Sequence, residues 1–137
     1  MTNSFQIVRS DRGGSDYWIT VVQTPRAYDA LNKALSDEEH ERLVDELAMN
    51  PEAGDIIPNS NGLRKMRAAC KGKGKSKGLR IVYLFYDLNM PLFILAAYEK
   101  SRKERYTESE LAQMRALVQE LVNEFSVKIR KRAGSAA

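Results

Sequence analysis

Cysteine and histidine are nearly absent from this 137-residue chain, which holds one of each, Cys70 and His40. A lone cysteine cannot close an intrachain disulfide, so a reducing compartment, the cytosol, is the expected home. The same scarcity excludes a structural zinc site built from several such residues and any histidine-based triad. Proline (4) and glycine (8) are also few, while 43% of residues are hydrophobic and 29% charged. That balance belongs to a folded chain rather than a disordered or collagenous one. The longest apolar runs, residues 81–86 and 92–98, fall far short of the ~20 residues a membrane helix needs. No basic-then-apolar leader opens the chain. The expectation is a cytoplasmic protein of one domain, with no cofactor, no metal and no membrane partner. At this length it buries roughly two-thirds of its unfolded surface without staples.

The chain reads as an α/β (α+β) fold. Residues 1–16 combine a short alternation at Phe5 and Ile7 with the loop-like stretch 10–16, and read as a loosely attached, flexible extension. Residues 17–22 are β-branched or aromatic and predict a first strand, with Trp18 in the core, ended by Thr24-Pro25. A short helix is expected over 26–34. Ser36 and Glu39 have the spacing of a capping box, and Leu43, Val44, Leu47 and Ala48 repeat at helical spacing up to Asn50-Pro51. Asp37, Glu38, Glu39 and Glu41 suit the helix dipole in that first turn, so they read as a solvated helix start rather than a catalytic cluster, with His40 a surface neighbour. After a loop over 51–62, residues 63–69, 79–86 and 92–98 predict three strands joined as hairpins. The middle one is apolar at nearly every position except Arg80 and belongs in the sheet centre. Thr107 and Glu110 form a second capping box ahead of the stripe Leu111, Met114, Val118, Leu121 and Phe125, which predicts a packed C-terminal helix. The divisions are therefore 1–16, an extension; 17–125, the domain; and 126–137, a basic, frayed tail.

Positive charge is concentrated. Arg64, Lys65, Arg67, Lys71, Lys73, Lys75, Lys77 and Arg80 follow one another with no Asp or Glu between. These +8 charges leave −4 for the remainder of a chain whose net charge is +4. Lys100, Arg102, Lys103 and Arg105 follow the last strand. A lysine-rich hairpin tip has an ordinary use, since it discourages edge pairing. The strand residues are different: Lys65 and Arg67 share a face, and Arg80 interrupts an apolar strand, a desolvation cost that makes sense beside an anion. Residues 69–76 fit a relaxed nucleotide P-loop pattern. A P-loop, however, leads into a helix whose N-terminus faces the phosphate, and strand sequence follows here.

The runs 50–58 (NPEAGDIIP), 62–67 (GLRKMR), the Gly/Lys loop, 79–83 (LRIVY) and 98–104 (YEKSRKE) resemble, in that order, the RelE/ParE superfamily of toxins in its HigB-like branch. The resemblance covers roughly residues 18–122. Asn61-Gly62 stands where relatives often have two glycines, and Ala68 where an aromatic is common. The resemblance implies a RelE-like fold: an N-terminal strand, a helical hairpin, a three-stranded antiparallel hairpin sheet and a C-terminal helix. It also implies a metal-independent, ribosome-dependent endoribonuclease that cuts mRNA. Its partners would be the ribosome, mRNA and a cognate helix-turn-helix antitoxin, with operator DNA met only through the antitoxin. Cleavage of this kind needs a base for the 2′-hydroxyl, stabilisation of charge on the phosphate and an acid for the leaving oxygen. Lys65 or Lys100 suits the base, because clustered cations disfavour one another's charged forms. Arg67 and Arg80 suit a phosphate clamp, Tyr98 a stacking or orienting role, and Lys103 an acid or phosphate contact. Arg64, Lys71, Lys73, Lys75, Lys77 and Arg102 would hold the RNA backbone. Two alternatives stay open: a ParE-like gyrase-inhibiting toxin, and a non-catalytic RNA-binding relative.

Overall fold

A computed structural model of the chain describes residues 6–11, 18–68, 78–87, 90–99 and 106–135, with side chains over 19–68, 78–87, 90–99 and 106–125. It is an α+β protein with two compact units, Met1–Arg105 and Tyr106–Ala137.

In the first unit β2 (Trp18–Gln23) runs parallel to β6 (Leu92–Glu99), with Val21 beside Leu92 and Gln23 beside Ile94. Thr24 ends β2 and starts α1 (Pro25–Ala34). Its Oγ1 accepts from Ala27 N (3.2 Å) and donates to Leu95 O (3.1 Å), while its N donates to Ile94 O (3.1 Å). One residue thus caps the helix and ties it to β6. Pro25 occupies the first helical position, where its missing N–H costs nothing. The expected capping box opens α2 (Asp37–Met49): Ser36 N donates to Glu39 Oε1 (2.8 Å) and Glu39 N to Ser36 Oγ (3.2 Å). Ala27 and Leu31 of α1 and Leu43, Val44, Leu47 and Ala48 of α2 are buried in one core with Ile19, Val21, Leu92 and Ile94.

The sheet continues from β6 to β5 (Leu79–Leu84), β4 (Leu63–Ala68) and the two-residue β3 (Asp55–Ile56), each pair antiparallel. All six residues of β5 are buried, as its apolar run requires. Leu79, Ile81 and Tyr83 join the core under the helical hairpin. The P-loop-like residues lead into the strand β5, where a P-loop needs a helix.

Two strands are additional to those expected. Gln6–Asp11 form β1, antiparallel to β2, so part of the expected loose extension is the sheet edge, and the six-stranded order is β1-β2-β6-β5-β4-β3. Pairing with β1 satisfies β2 backbone groups that would otherwise lie open. The other is β3. The expected core position of Trp18 falls outside the described side chains.

The second unit is the helix α3 (Glu108–Ser135). Thr107 N donates to Glu110 Oε1 (3.0 Å) and Glu110 N to Thr107 Oγ1 (3.2 Å), the second capping box. The helix continues through the segment expected to be a frayed tail, because Val127 to Ala133 contains neither proline nor glycine to stop it. Among the described residues no helix is long and apolar enough to cross a membrane.

Candidate functional site

Strand register builds the site. Arg67 on β4 lies opposite Arg80 on β5, and Arg80 lies opposite Tyr98 on β6, which gives one row across three strands. Lys65, two residues from Arg67, shares its face, while Met66 and Ala68 face the hairpin core. Exposure falls inward along the row: Lys65 and Arg67 are exposed, Tyr98 is half-buried and Arg80 is only 7% exposed. Burial pushes the Tyr98 hydroxyl above its ordinary 10.0, and the Arg80 charge pulls the other way. Tyr98 therefore stays protonated at neutral pH, a hydrogen-bond donor next to a buried guanidinium. These residues line a cavity of about 350 Å³, together with Glu46 of α2, Ala53, Asp55 of β3 and Met66. That volume lies in the range of small-ligand sites.

One wall of the cavity is held by a lock beneath it. The Tyr83 hydroxyl donates to Pro51 O (2.9 Å) and accepts from Gly54 N (2.8 Å). Burial raises the Tyr83 ionisation, opposed chiefly by the Gly54 hydrogen bond and Arg64. Gly54 has no room for a side chain: a Cβ there would lie 2.8 Å from both Lys65 O and Tyr83 Cε1. Arg64 Nη1 donates to Gly54 O (2.8 Å) and Glu52 O (3.2 Å), and Nη2 sits 3.7 Å from Glu52 Oε2. Arg64 alternates with Lys65 along β4 and so lies on the opposite face from Lys65 and Arg67. Its guanidinium thereby ties β4 to the 52–54 loop. Past β3, Ile57 N donates to Leu63 O (2.8 Å) and Leu63 N to Ser60 Oγ (3.1 Å). Asn59 and Asn61 (both φ 59°) and Gly62 (φ 96°) take the left-handed backbone this turn needs.

Lys65, Arg67, Arg80 and Tyr98 are thus brought together. Lys71, Lys73, Lys75, Lys77, Lys100, Arg102 and Lys103 lie outside the described residues. The sequence reading missed Glu46 and Asp55 as lining residues. It also placed His40 on the surface, whereas its Nε2 pairs with Oε1 of the fully buried Gln23 (2.8 Å) and its ring lies 5.9 Å from Tyr28. Among the described residues no group of three or more His, Cys, Asp or Glu is placed to hold a metal ion. No protein-family model matches the chain.

Proposed function

We propose that this chain is the toxin of a type II toxin–antitoxin pair, a ribosome-dependent endoribonuclease of the RelE-like kind that cuts mRNA and stops translation. The observation that supports the reading is the row Arg67, Arg80 and Tyr98 with Lys65 beside it, all lining one cavity. Arg80, only 7% exposed within an otherwise apolar strand, brings a fixed cation into that cavity beside Arg67 and Tyr98, a grouping suited to a phosphate. In the proposed reaction Lys65, or Lys100, takes the proton of a ribose 2′-hydroxyl. The freed oxygen bonds to the adjacent phosphorus, and the bond from phosphorus to the 5′-oxygen breaks. That leaves a 2′,3′-cyclic phosphate and a 5′-hydroxyl. Arg67 and Arg80 hold the non-bridging oxygens as charge builds on them, the step where preorganised donors act most strongly. Tyr98, protonated, donates to the departing oxygen or orients the 2′-hydroxyl, and Lys103 is the further acid or phosphate contact. Lys71, Lys73, Lys75, Lys77 and Arg102 supply sequence-independent grip on the backbone. The partners are the ribosome, mRNA and a helix-turn-helix antitoxin through which operator DNA is met.

The test is induced expression of the chain alone, with primer extension on abundant transcripts. Cuts confined to translated regions are expected, and Arg67→Ala/Arg80→Ala should reduce them by at least about 10²-fold, the usual loss on removing one such donor. Growth arrest without cuts would move the reading to gyrase inhibition.

A further inference from the structure

The cavity is not uniformly basic. Glu46 of α2 and Asp55 of β3 also line it, and the row Arg67, Arg80 and Tyr98 runs from β4 to β6. Asp55 and Lys65 are direct cross-strand partners, yet no ion pair joins them among the described residues, nor does one join Glu46 to Lys65 or Arg67. Both carboxylates are exposed to the cavity and to solvent. Strand spacing of ~4.8 Å and a rise of ~3.4 Å per residue put the Asp55 and Arg80 backbones about 12 Å apart. A ligand that fills the space between them must present an anion at one end and hydrogen-bond donors at the other. A phosphate alone gains nothing from two carboxylates. A nucleotide whose base carries an exocyclic amine satisfies both ends.

We propose that Glu46 and Asp55 are base-reading residues, accepting hydrogen bonds from the Watson–Crick edge of the nucleotide whose phosphate Arg67 and Arg80 hold. Guanine is the best match, because its N1–H and N2–H₂ donate in parallel to one carboxylate. Adenine and cytosine each offer an amine. Uracil offers only its N3–H, flanked by two carbonyl oxygens that repel the carboxylates, and is disfavoured. The selectivity is separate from the cutting chemistry, although it rests on the phosphate-clamp reading above.

The test uses the full chain and four probes, the 3′-monophosphates of guanosine, adenosine, cytidine and uridine, with affinities from calorimetry or NMR titration. Guanosine 3′-monophosphate is expected to bind about tenfold more tightly than the uridine compound, in the range of one good bidentate base contact. Glu46→Gln/Asp55→Asn should bring that ratio close to one, with an unchanged thermal midpoint showing that the fold survives. Arg67→Ala/Arg80→Ala should weaken all four. An equal ratio in the wild type and the carboxylate variant would overturn the base-reading role while the arginine result still upheld the clamp. Four affinities indifferent to the arginine variant would overturn the clamp, and the inference with it.

Discussion

The Tyr83 hydroxyl has two partners in the loop beside the cavity, donating to Pro51 O at 2.9 Å and accepting from Gly54 N at 2.8 Å. Removing that oxygen strands a buried acceptor and a buried donor, for which about 1–3 kcal/mol is the usual loss. Tyr83→Phe is therefore expected to lower the unfolding free energy by that amount, read as a lower urea midpoint at unchanged slope. Gly54→Ala should cost a comparable amount for a steric reason, since its new methyl would meet backbone at 2.8 Å. Combined, the two should lose less than the sum of the single effects, because each loosens the same loop. His40 carries a pH dependence. Burial holds its ionisation below the ordinary 6.5, with Asp37 partly opposing. The unfolded chain then binds the proton more readily than the folded one. Stability should be constant above neutrality and fall as pH drops through 6.5 toward the lower folded value. Urea titrations of the wild type at several pH values should show this slope, and His40→Gln should flatten it.

Local chemistry that needs no distant partner was readable in advance. Ser36 with Glu39 and Thr107 with Glu110 mark helix starts because their bonds span only three residues. Ser36→Ala should cost about 1 kcal/mol of stability, measurable as a shifted denaturation midpoint. The run from Leu79 to Leu84 announced a central strand, and Arg80 announced itself by breaking it. The strand β3 carries no such signal. Two residues show no period, and their pairing with Arg64 and Lys65 depends on the Tyr83 lock. The edge strand β1 was hidden because Gly, Ser and Asp dominate the composition over 10–16, while its pairing is with β2. Half of the candidate site shared this fate. Lys65 and Arg67 alternate with Met66 on one strand, so their common face follows from sequence. Glu46 and Asp55 join them only because α2 and β3 are brought to the same cavity by the fold.

Taken over the whole chain, charge is divided. Eight cations with no acid between them run from Arg64 to Arg80, and the remainder carries −4. A basic segment within an otherwise acidic chain favours approach of a polyanion. Replacing Lys71, Lys73, Lys75 and Lys77 together by Gln should weaken RNA binding at every sequence and lower the slope of log affinity against log salt by about 3. In the proposed activity Lys65, Arg67, Arg80 and Tyr98 cut RNA through its own 2′-oxygen. The most direct measurement is end-group analysis of mRNA cut by the purified chain on translating ribosomes, with a chelator present throughout. Fragments bearing 5′-hydroxyl and 2′,3′-cyclic phosphate ends, absent with Arg67→Ala/Arg80→Ala, are the result this account predicts. Fragments with 5′-phosphate ends, or none from a folded and ribosome-bound protein, would contradict it.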